Sequence, residues 1–590
     1  MNIIGINAWH ADASAALVVD GKLILAIEEE RFTRKKHWAG FPSQAIQFCL
    51  KESGLNPEDI DFFVIGRDPS AKFLHKILYL VKNPGGSFQA IKDRFANSRK
   101  AGNVTKELVN SVGKPESFFK NKVAHVEHHR SHIASAFFAS PFEEAACLSV
   151  DGSGDFSTTM TGIGNGNQIE ILNSVDFPHS VGIFYTAFTQ LLGFPHYGDE
   201  YKVMGLAPYG KPVYAEEVSR IIKLRNDGLF RLDLSFFRKG TEGIISYDEN
   251  FMPVVAPLYS QKMIDTFGKV RDVKAPLTQA NKDLAASVQQ VTEQVLFHIL
   301  NYLCEITKCK NLCLAGGVAQ NSVANGKIRD NTPFENIYIP GAGHDAGISM
   351  GSALYVHYKN SPSSKRYHIK TAYLGSKYSN EEIKHCLREI NLGFSEMNDE
   401  ELFEKICGTL IKGGVVGWFN GRSEFGPRAL GGRSILADPR RSDAKSILNT
   451  KIKRRESFRP FAPSVLKEYV SEFFEQDDDV PFMEKVFKIR EEKRSLIPAV
   501  THVDGTGRLQ TVEKEASPRY YNLIETFRRK TGIPILLNTS FNENEPIVNT
   551  PEDAVNCFLR TGMDMLVMEN VVVERGEELR MKSEELKIKN

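Results

Sequence analysis

The chain has 590 residues, 42% hydrophobic and 25% charged, enough to bury a large core and to divide into at least two domains. Lys plus Arg number 74 against 73 Asp plus Glu, a formal charge of +1, so no global basic field argues for nucleic-acid binding and any such function would be local. No stretch stays apolar for the ~20 residues a membrane span needs, and the opening run has neither basic n-region nor cleavage site, so a cytoplasmic protein without stable membrane insertion is expected.

Residues 3 to 30 read as strand, polar loop, strand, tight turn and strand: Ile3 to Asn7, Trp9 to Ala13, Ala15 to Val19, Asp20-Gly21 and Leu23 to Ile27. Asp-Gly between two apolar runs is a strong hairpin signal. The stretch from Lys72 to Lys122 is rich in Lys and Arg and carries an apolar component (Phe73, Leu74, Ile77, Leu78), which predicts a helical cover inserted before the next element. That element is Val126-Glu127-His128-His129-Arg130-Ser131-His132, which leads into a small-residue helical pattern. Positions four apart share a helix face, so His128 and His132 can present two imidazoles to one divalent ion, with His129 turned aside. Carboxylates to complete such a site stand where apolar strands run into glycines: Asp151 in Asp151-Gly152-Ser153-Gly154-Asp155 and Asp345 in Gly343-His344-Asp345-Ala346-Gly347. The same residues could cap a helix and make turns, and spacing alone leaves both readings open.

Residues 145 to 175 repeat the plan of residues 3 to 30, with strands at Ala146 to Val150, Thr158 to Ile163 and Ile169 to Val175. Two such halves, each a hairpin meander with a polar loop after its first strand, predict a duplicated actin-like (ASKHA) α/β architecture around a nucleotide cleft. A long helix, Asp283 to Cys304, precedes the strand Asn311 to Ala315, which runs into Gly316-Gly317 and then Asn321. With Gly152 and Gly343, these are the candidate nucleotide-binding residues, because glycines let phosphate lie against backbone near a helix amino end. Eight dispersed cysteines lack paired C-x-x-C knuckles and are expected to be reduced core residues.

A polar stretch, Asn360 to Lys365, places a domain boundary between there and residue 372, giving domains at 1–360 and 373–590. The second part holds three dense stretches: Gly421 to Ser434, Ser457-Phe458-Arg459-Pro460-Phe461-Ala462-Pro463, and Leu536 to Asn542. Arginines beside glycine and proline suit a pocket for phosphate or another planar anion, which guanidinium binds in a bidentate fork.

The run Asn7 to Leu17, the run Glu28-Glu29-Glu30-Arg31-Phe32-Thr33-Arg34-Lys35-Lys36, the histidine stretch and the arginine-rich second half together resemble the O-carbamoyltransferases of antibiotic and nodulation-factor biosynthesis, in order over nearly the whole chain. The resemblance implies an actin-like first domain, a YrdC-like second domain, and a two-stage reaction. Carbamoyl phosphate and ATP, the latter with Mg2+, give carbamoyl adenylate in the second domain, and the first passes the carbamoyl group to a hydroxyl of a small-molecule natural product or glycoside. It implies His128, His132, Asp151 and Asp345 as ligands of a divalent metal, Fe2+ by family habit, and Arg428, Arg459, Arg508 and Ser540 as carbamoyl and phosphate binders. His10 matches the general base, with Asp12 orienting it or meeting the acceptor. The residues from Phe177 to Tyr209 are expected to line the acceptor pocket, and a homodimer would suit the family. A threonylcarbamoyl-type tRNA-modifying enzyme and a non-catalytic ATP-binding assembly module are the alternatives. The neutral charge weighs against the first and the arginine-lined second half against both.

Overall fold

The computed structural model describes residues 1–82, 103–238 and 245–576, in two compact units, Met1–Ile369 and Lys370–Asn590. Part of the basic insertion, residues 83–102, lies outside the described residues. No helix among the described residues is long and apolar enough to cross a membrane.

The first unit holds two five-stranded sheets of the same topology. In the first, β1 (Asn2–Asn7), β2 (Ser14–Val19) and β3 (Lys22–Glu28) form an antiparallel meander, and β4 (Phe62–Ile65) and β5 (Val123–His125) continue from β1 in parallel. The β2–β3 turn has both Asp20 (φ +48°) and Gly21 (φ +81°) in the left-handed region, as a two-residue turn matched to strand twist requires. In the second, β6 (Glu144–Gly154), β7 (Ser157–Asn165) and β8 (Gln168–Asp176) repeat the meander, and β9 (Asn311–Ala315) and β10 (Asn336–Tyr338) continue in parallel from β6. This strand order, twice over, is the duplicated actin-like plan read from the sequence.

Two helices fill the space between the sheets. α1 (His128–Phe137) packs on β6 and β9, and α2 (Gly347–Asn360) packs on β1 and β2 and against α1. Glycines set the separations: a Cβ at Gly5 would stand 1.8 Å from the Ser349 carbonyl oxygen, and one at Gly351 would stand 1.9 Å from that of Ser131. The parallel strands β1, β4 and β5, and likewise β6, β9 and β10, present their carboxyl ends on one side of each sheet, and the candidate site loops follow those ends. The stretch read as a polar linker is a strap on this unit. Arg366 Nη1 donates to the carbonyls of Phe142 (2.7 Å) and Gly166 (3.2 Å), Asn167 Nδ2 to those of Pro362 (2.9 Å) and Ser364 (2.7 Å), and the Ile369 amide to that of Ala139 (2.9 Å). Its polar composition reflects backbone bonding at the surface.

The second unit is built on an eight-stranded mixed sheet. In spatial order its strands are β11 (Ser395–Glu396), β18 (Val571–Glu574), β17 (Met565–Met568), β12 (Val416–Phe419), β13 (Arg433–Ala437), β16 (Ile535–Ser540), β14 (Ala462–Leu466) and β15 (Gln510–Val512). Trp418, Phe419, Leu436, Leu536 and Val567 are fully buried in its core.

Gly351→Ala should force α1 and α2 apart and cost about 1–3 kcal/mol. Urea denaturation checks the cost, and divalent-metal affinity should fall with it, because each helix carries part of the cluster described below.

Candidate functional site

The histidine stretch starts α1 earlier than its small-residue pattern suggests: Glu127 caps it, its carboxylate accepting from the Arg130 amide at 2.7 Å, and His128 is its first residue. His128 and His132 therefore share a face and are fully buried. Asp151 lies within β6, which runs on to Gly154 through a bulge that sets Asp151, Gly152 and Ser153 opposite Thr158 alone. The bulge turns the Asp151 carboxylate toward α1, and a Cβ at Gly154 would strike the His128 ring at 2.1 Å. Asp345 stands two residues before α2.

These four side chains converge. His128 Nε2 lies 3.0 Å from Asp151 Oδ2 and 3.8 Å from Asp345 Oδ1; His132 Nε2 lies 3.4 Å and 3.3 Å from the same two oxygens. Such separations are those of donors arranged about one ion at roughly 2.0–2.2 Å. His132 Nε2 and Asp345 Oδ1 are buried without a hydrogen-bond partner, at the centre of the group, which is where a cation would satisfy them. The residues present fit a divalent metal. Burial opposes charge on His132, but the Asp151 and Asp345 carboxylates beside it outweigh that and raise its pKa to about 9. Burial and the neighbouring Asp151 raise Asp345 to about 6.

His129 turns aside, its Nδ1 2.8 Å from Ser149 Oγ. His10, on the β1–β2 loop, places its ring 4.8 Å from that of His128 and its Nδ1 3.9 Å from Asp345 Oδ2. Asp12, two residues on, bonds His37 at 2.8 Å. The glycine loops gather around Asp151. The amides of Gly152 (2.7 Å) and Gly317 (3.1 Å) both donate to Asp151 Oδ1, and the Gly316 amide donates to the Gly343 carbonyl at 2.7 Å. Gly316 (φ +98°) could carry no side chain, since a Cβ would stand 2.2 Å from the Val150 carbonyl oxygen. Asn321 is engaged elsewhere: its Oδ1 caps a helical turn at Ala324, and its amide exchanges two 3.0 Å bonds with Gln289.

In the second unit, burial first, and then the charges of Arg428, Arg455 and Arg459, push the Arg508 guanidinium well below its ordinary range, and Arg508 Nε is buried without a partner. The loop carrying Arg428 is fixed by Glu424 Oε1, which accepts from the amides of Leu430 (2.6 Å), Gly432 (2.7 Å) and Arg433 (3.2 Å), and by Asn538 Nδ2 bonding the Ala429 carbonyl. Arg433 is structural, lying 3.5 Å over the Phe419 ring and donating to backbone carbonyls. Ser540 ends β16, and the buried Lys453 donates to its Oγ at 3.1 Å and to Asn542 Oδ1 at 2.7 Å. Lys453 and Arg455 are residues that sequence reasoning missed, since they lie just ahead of the Ser457 to Pro463 stretch it singled out. His37 was missed by one position, next to the Glu28 to Lys36 motif.

A carbamoyltransferase N-terminus model matches residues 2–354 and a carbamoyltransferase C-terminus model matches residues 407–575. The chain is 43% identical over 607 aligned residues to the uncharacterized protein sll1178 of a Synechocystis species, covering 97% of each. It is 37% identical to nodulation protein NolNO of Sinorhizobium fredii over 96% of this chain and 80% of that one, and 31% identical to the uncharacterized protein MJ1051 of Methanocaldococcus jannaschii over 97% and 99%.

A proton on His132 must leave when a divalent ion binds. Calorimetric titration of Mn2+ into chelator-treated protein near pH 7.5, in two buffers of different ionisation enthalpy, should show about one proton released per ion. Affinity should fall roughly tenfold per pH unit on going down from pH 9, and more steeply below 6 where Asp345 also protonates.

Proposed function

As the chain belongs to the carbamoyltransferase family and is an enzyme of that class, we propose that it is an ATP-dependent O-carbamoyltransferase working through carbamoyl adenylate. The observation on which the two-stage reading is built is Arg508, whose Nε is buried without a partner and which feels the positive charge of Arg428, Arg455 and Arg459. Like charges near one another repel, and a bound polyanion offsets that repulsion. Carbamoyl phosphate and the ATP triphosphate are such anions. Water releases phosphate from carbamoyl phosphate, and the resulting carbamate oxygen attacks the α-phosphorus of ATP, displacing pyrophosphate and forming the mixed anhydride. Ser540, whose hydroxyl accepts from Lys453 and donates to Asn542, would offer its oxygen to the carbamoyl amide.

In the first unit an acceptor oxygen bonds to the carbamoyl carbon, the bond from that carbon to the adenylate oxygen breaks, and AMP leaves. His128, His132, Asp151 and Asp345 would hold the divalent ion, which supplies Lewis-acid polarisation and balances phosphate charge when bound. Fe2+ is the ion the family resemblance favours, while the imidazole and carboxylate donors also suit Zn2+ and Mn2+. His10 presents its imidazole beside that cluster, and Gly152, where a Cβ would meet nothing within 4 Å, leaves backbone open to the adenylate. The acceptor is a hydroxyl of a natural product or glycoside, and the reaction is cytoplasmic, where ATP and carbamoyl phosphate are made.

Carbamoyl-phosphate-dependent release of pyrophosphate from ATP, without acceptor, tests the reading. Arg459→Ala should lower it on the order of 10²-fold or more while leaving transfer from supplied carbamoyl adenylate largely unchanged. Equal loss of both half-reactions in a folded variant would refute the division of labour.

A further inference from the structure

Asp12 turns toward a histidine other than His10. Its Oδ1 lies 2.8 Å from His37 Nδ1, and burial, outweighed by the pull of His37 and His344, leaves its carboxyl at about 2. An ionised carboxylate only accepts hydrogen bonds, so in the neutral ring His37 Nδ1 donates and Nε2 keeps its lone pair. That Nε2 has no hydrogen-bond partner among the described residues, and the His37 side chain is 26% exposed. The space in front of it exists because residue 198 is glycine: at φ +81°, a Cβ there would stand 2.8 Å from His37 Nε2. Both ends of the pair are held in the left-handed region, Asp12 at φ +58° and His37 at +57°, a conformation unfavourable for a non-glycine residue. The bond from the His37 amide to Glu30 Oε2, 2.7 Å, helps to fix it there.

The pair borders the metal cluster. Asp12 Oδ2 lies 3.8 Å from Nε2 of His344, the residue before Asp345. The Tyr197 ring meets His37 edge-on at 5.2 Å between centroids. Its phenol is pushed up first by burial and then by Asp345, Asp12 and Asp151, so Tyr197 stands in the field of both groups. His10, by contrast, packs on the cluster itself, its ring against His128.

The geometry points to His37, oriented by Asp12, as the group that takes the proton of the acceptor hydroxyl in the transfer step. The acceptor O–H bond breaks toward His37 Nε2, the new bond forms from that oxygen to the carbamoyl carbon, and the electrons of the anhydride bond leave with AMP. His37 becomes imidazolium with its second proton still on Nδ1, facing Asp12, the arrangement that stabilises the base in other histidine–carboxylate pairs. Asp12 is then a positioning residue. The inference rests on the carbamoyl-adenylate reading above.

The groups facing His37 are Asp12, Glu30, Lys36, Tyr197, His344 and Glu200. Burial and Lys36 favour the neutral ring, but Asp12 and Glu30 outweigh them, so the His37 pKa lies above its usual value. A base acts when deprotonated, so the transfer rate should rise with pH through that pKa. Removing the Asp12 charge lowers the pKa and moves the rise to lower pH.

Wild type, His37→Gln, Asp12→Asn and His10→Gln would be compared with carbamoyl phosphate, ATP and one of two probe acceptors. Glycerol is an alcohol that needs a base; hydroxylamine is a strong nucleophile that does not. In His37→Gln, pyrophosphate release and hydroxylamine-dependent AMP release should stay near wild type, while glycerol-dependent release falls about 10²-fold, loses its rise with pH, and recovers in part with added imidazole. Asp12→Asn should lose less and show the rise at lower pH. The inference is overturned if His37→Gln slows both acceptors equally, if His10→Gln alone removes the pH rise, or if wild type carbamoylates hydroxylamine and no alcohol. Absence of pyrophosphate release in wild type would instead overturn the carbamoyl-adenylate reading on which this one stands.

Discussion

The first unit depends on how closely two helices can cross. Gly351 brings α2 against the Ser131 carbonyl, and Gly5 brings the same helix down on β1. With those distances set, the amino end of α1, carrying His128 and His132, and the loop ahead of α2, carrying Asp345, meet over the bulge of β6 that carries Asp151. The four donors come from three elements, yet all rest on the same layer of packing. Ser14, the first residue of β2, adds a tie to this layer, its hydroxyl donating to the Ala346 carbonyl at 2.7 Å, which holds the preceding loop with His10 and Asp12 near Asp345.

The two units solve opposite electrostatic problems. In the first, carboxylates and imidazoles crowd together and leave acceptor atoms unsatisfied at the centre, an arrangement completed by a cation. In the second, Arg508 keeps a buried Nε without a partner and feels the positive charge of Arg428, Arg455 and Arg459, which suits the anion proposed for it. Burial raises the energetic stakes in both, because unsatisfied charge is costly away from water. Neither set is a stabilising element in its own right, and the surrounding hydrogen bonds show what holds each in place: Glu424 under the Arg428 loop, and Gly152 and Gly317 amides on Asp151.

The parts of this arrangement that were legible in the sequence are those encoded locally. Asp20-Gly21 between apolar runs marks the first hairpin, and the repeat of its strand plan over residues 145 to 175 marks the duplication. The four-residue spacing of His128 and His132 puts them on one face of whatever helix contains them, and a strand running into glycines marks Asp151 and Asp345. What was not legible depends on long-range pairing. Asp12 and His37 are 25 positions apart and meet because two left-handed residues bend their loops together. Lys453 reads as one more cation in a basic run until β16 brings Ser540 and Asn542 over it. Asn321, read as a ligand for nucleotide, also bonds a helical turn at Ala324 and Gln289, contacts that its place after a strand does not announce.

The charge of the ligand falls along the proposed sequence, and the two sites follow it. ATP and carbamoyl phosphate are polyanions, and a pocket with several guanidinium groups is needed to bring them together against their own repulsion. Carbamoyl adenylate has shed pyrophosphate and phosphate and keeps one phosphoryl charge. A site lined by Asp12, Asp151 and Asp345 would repel the starting polyanions, but with one divalent ion among its carboxylates it can receive a singly charged mixed anhydride. That asymmetry is a physical reason for separating activation from transfer: a single pocket basic enough for the first step would hold every nearby histidine away from its protonated form's stabilising carboxylates. Placing the histidine and carboxylate pairs in the other unit lets an imidazole accept a proton beside a carboxylate that steadies the charge it gains.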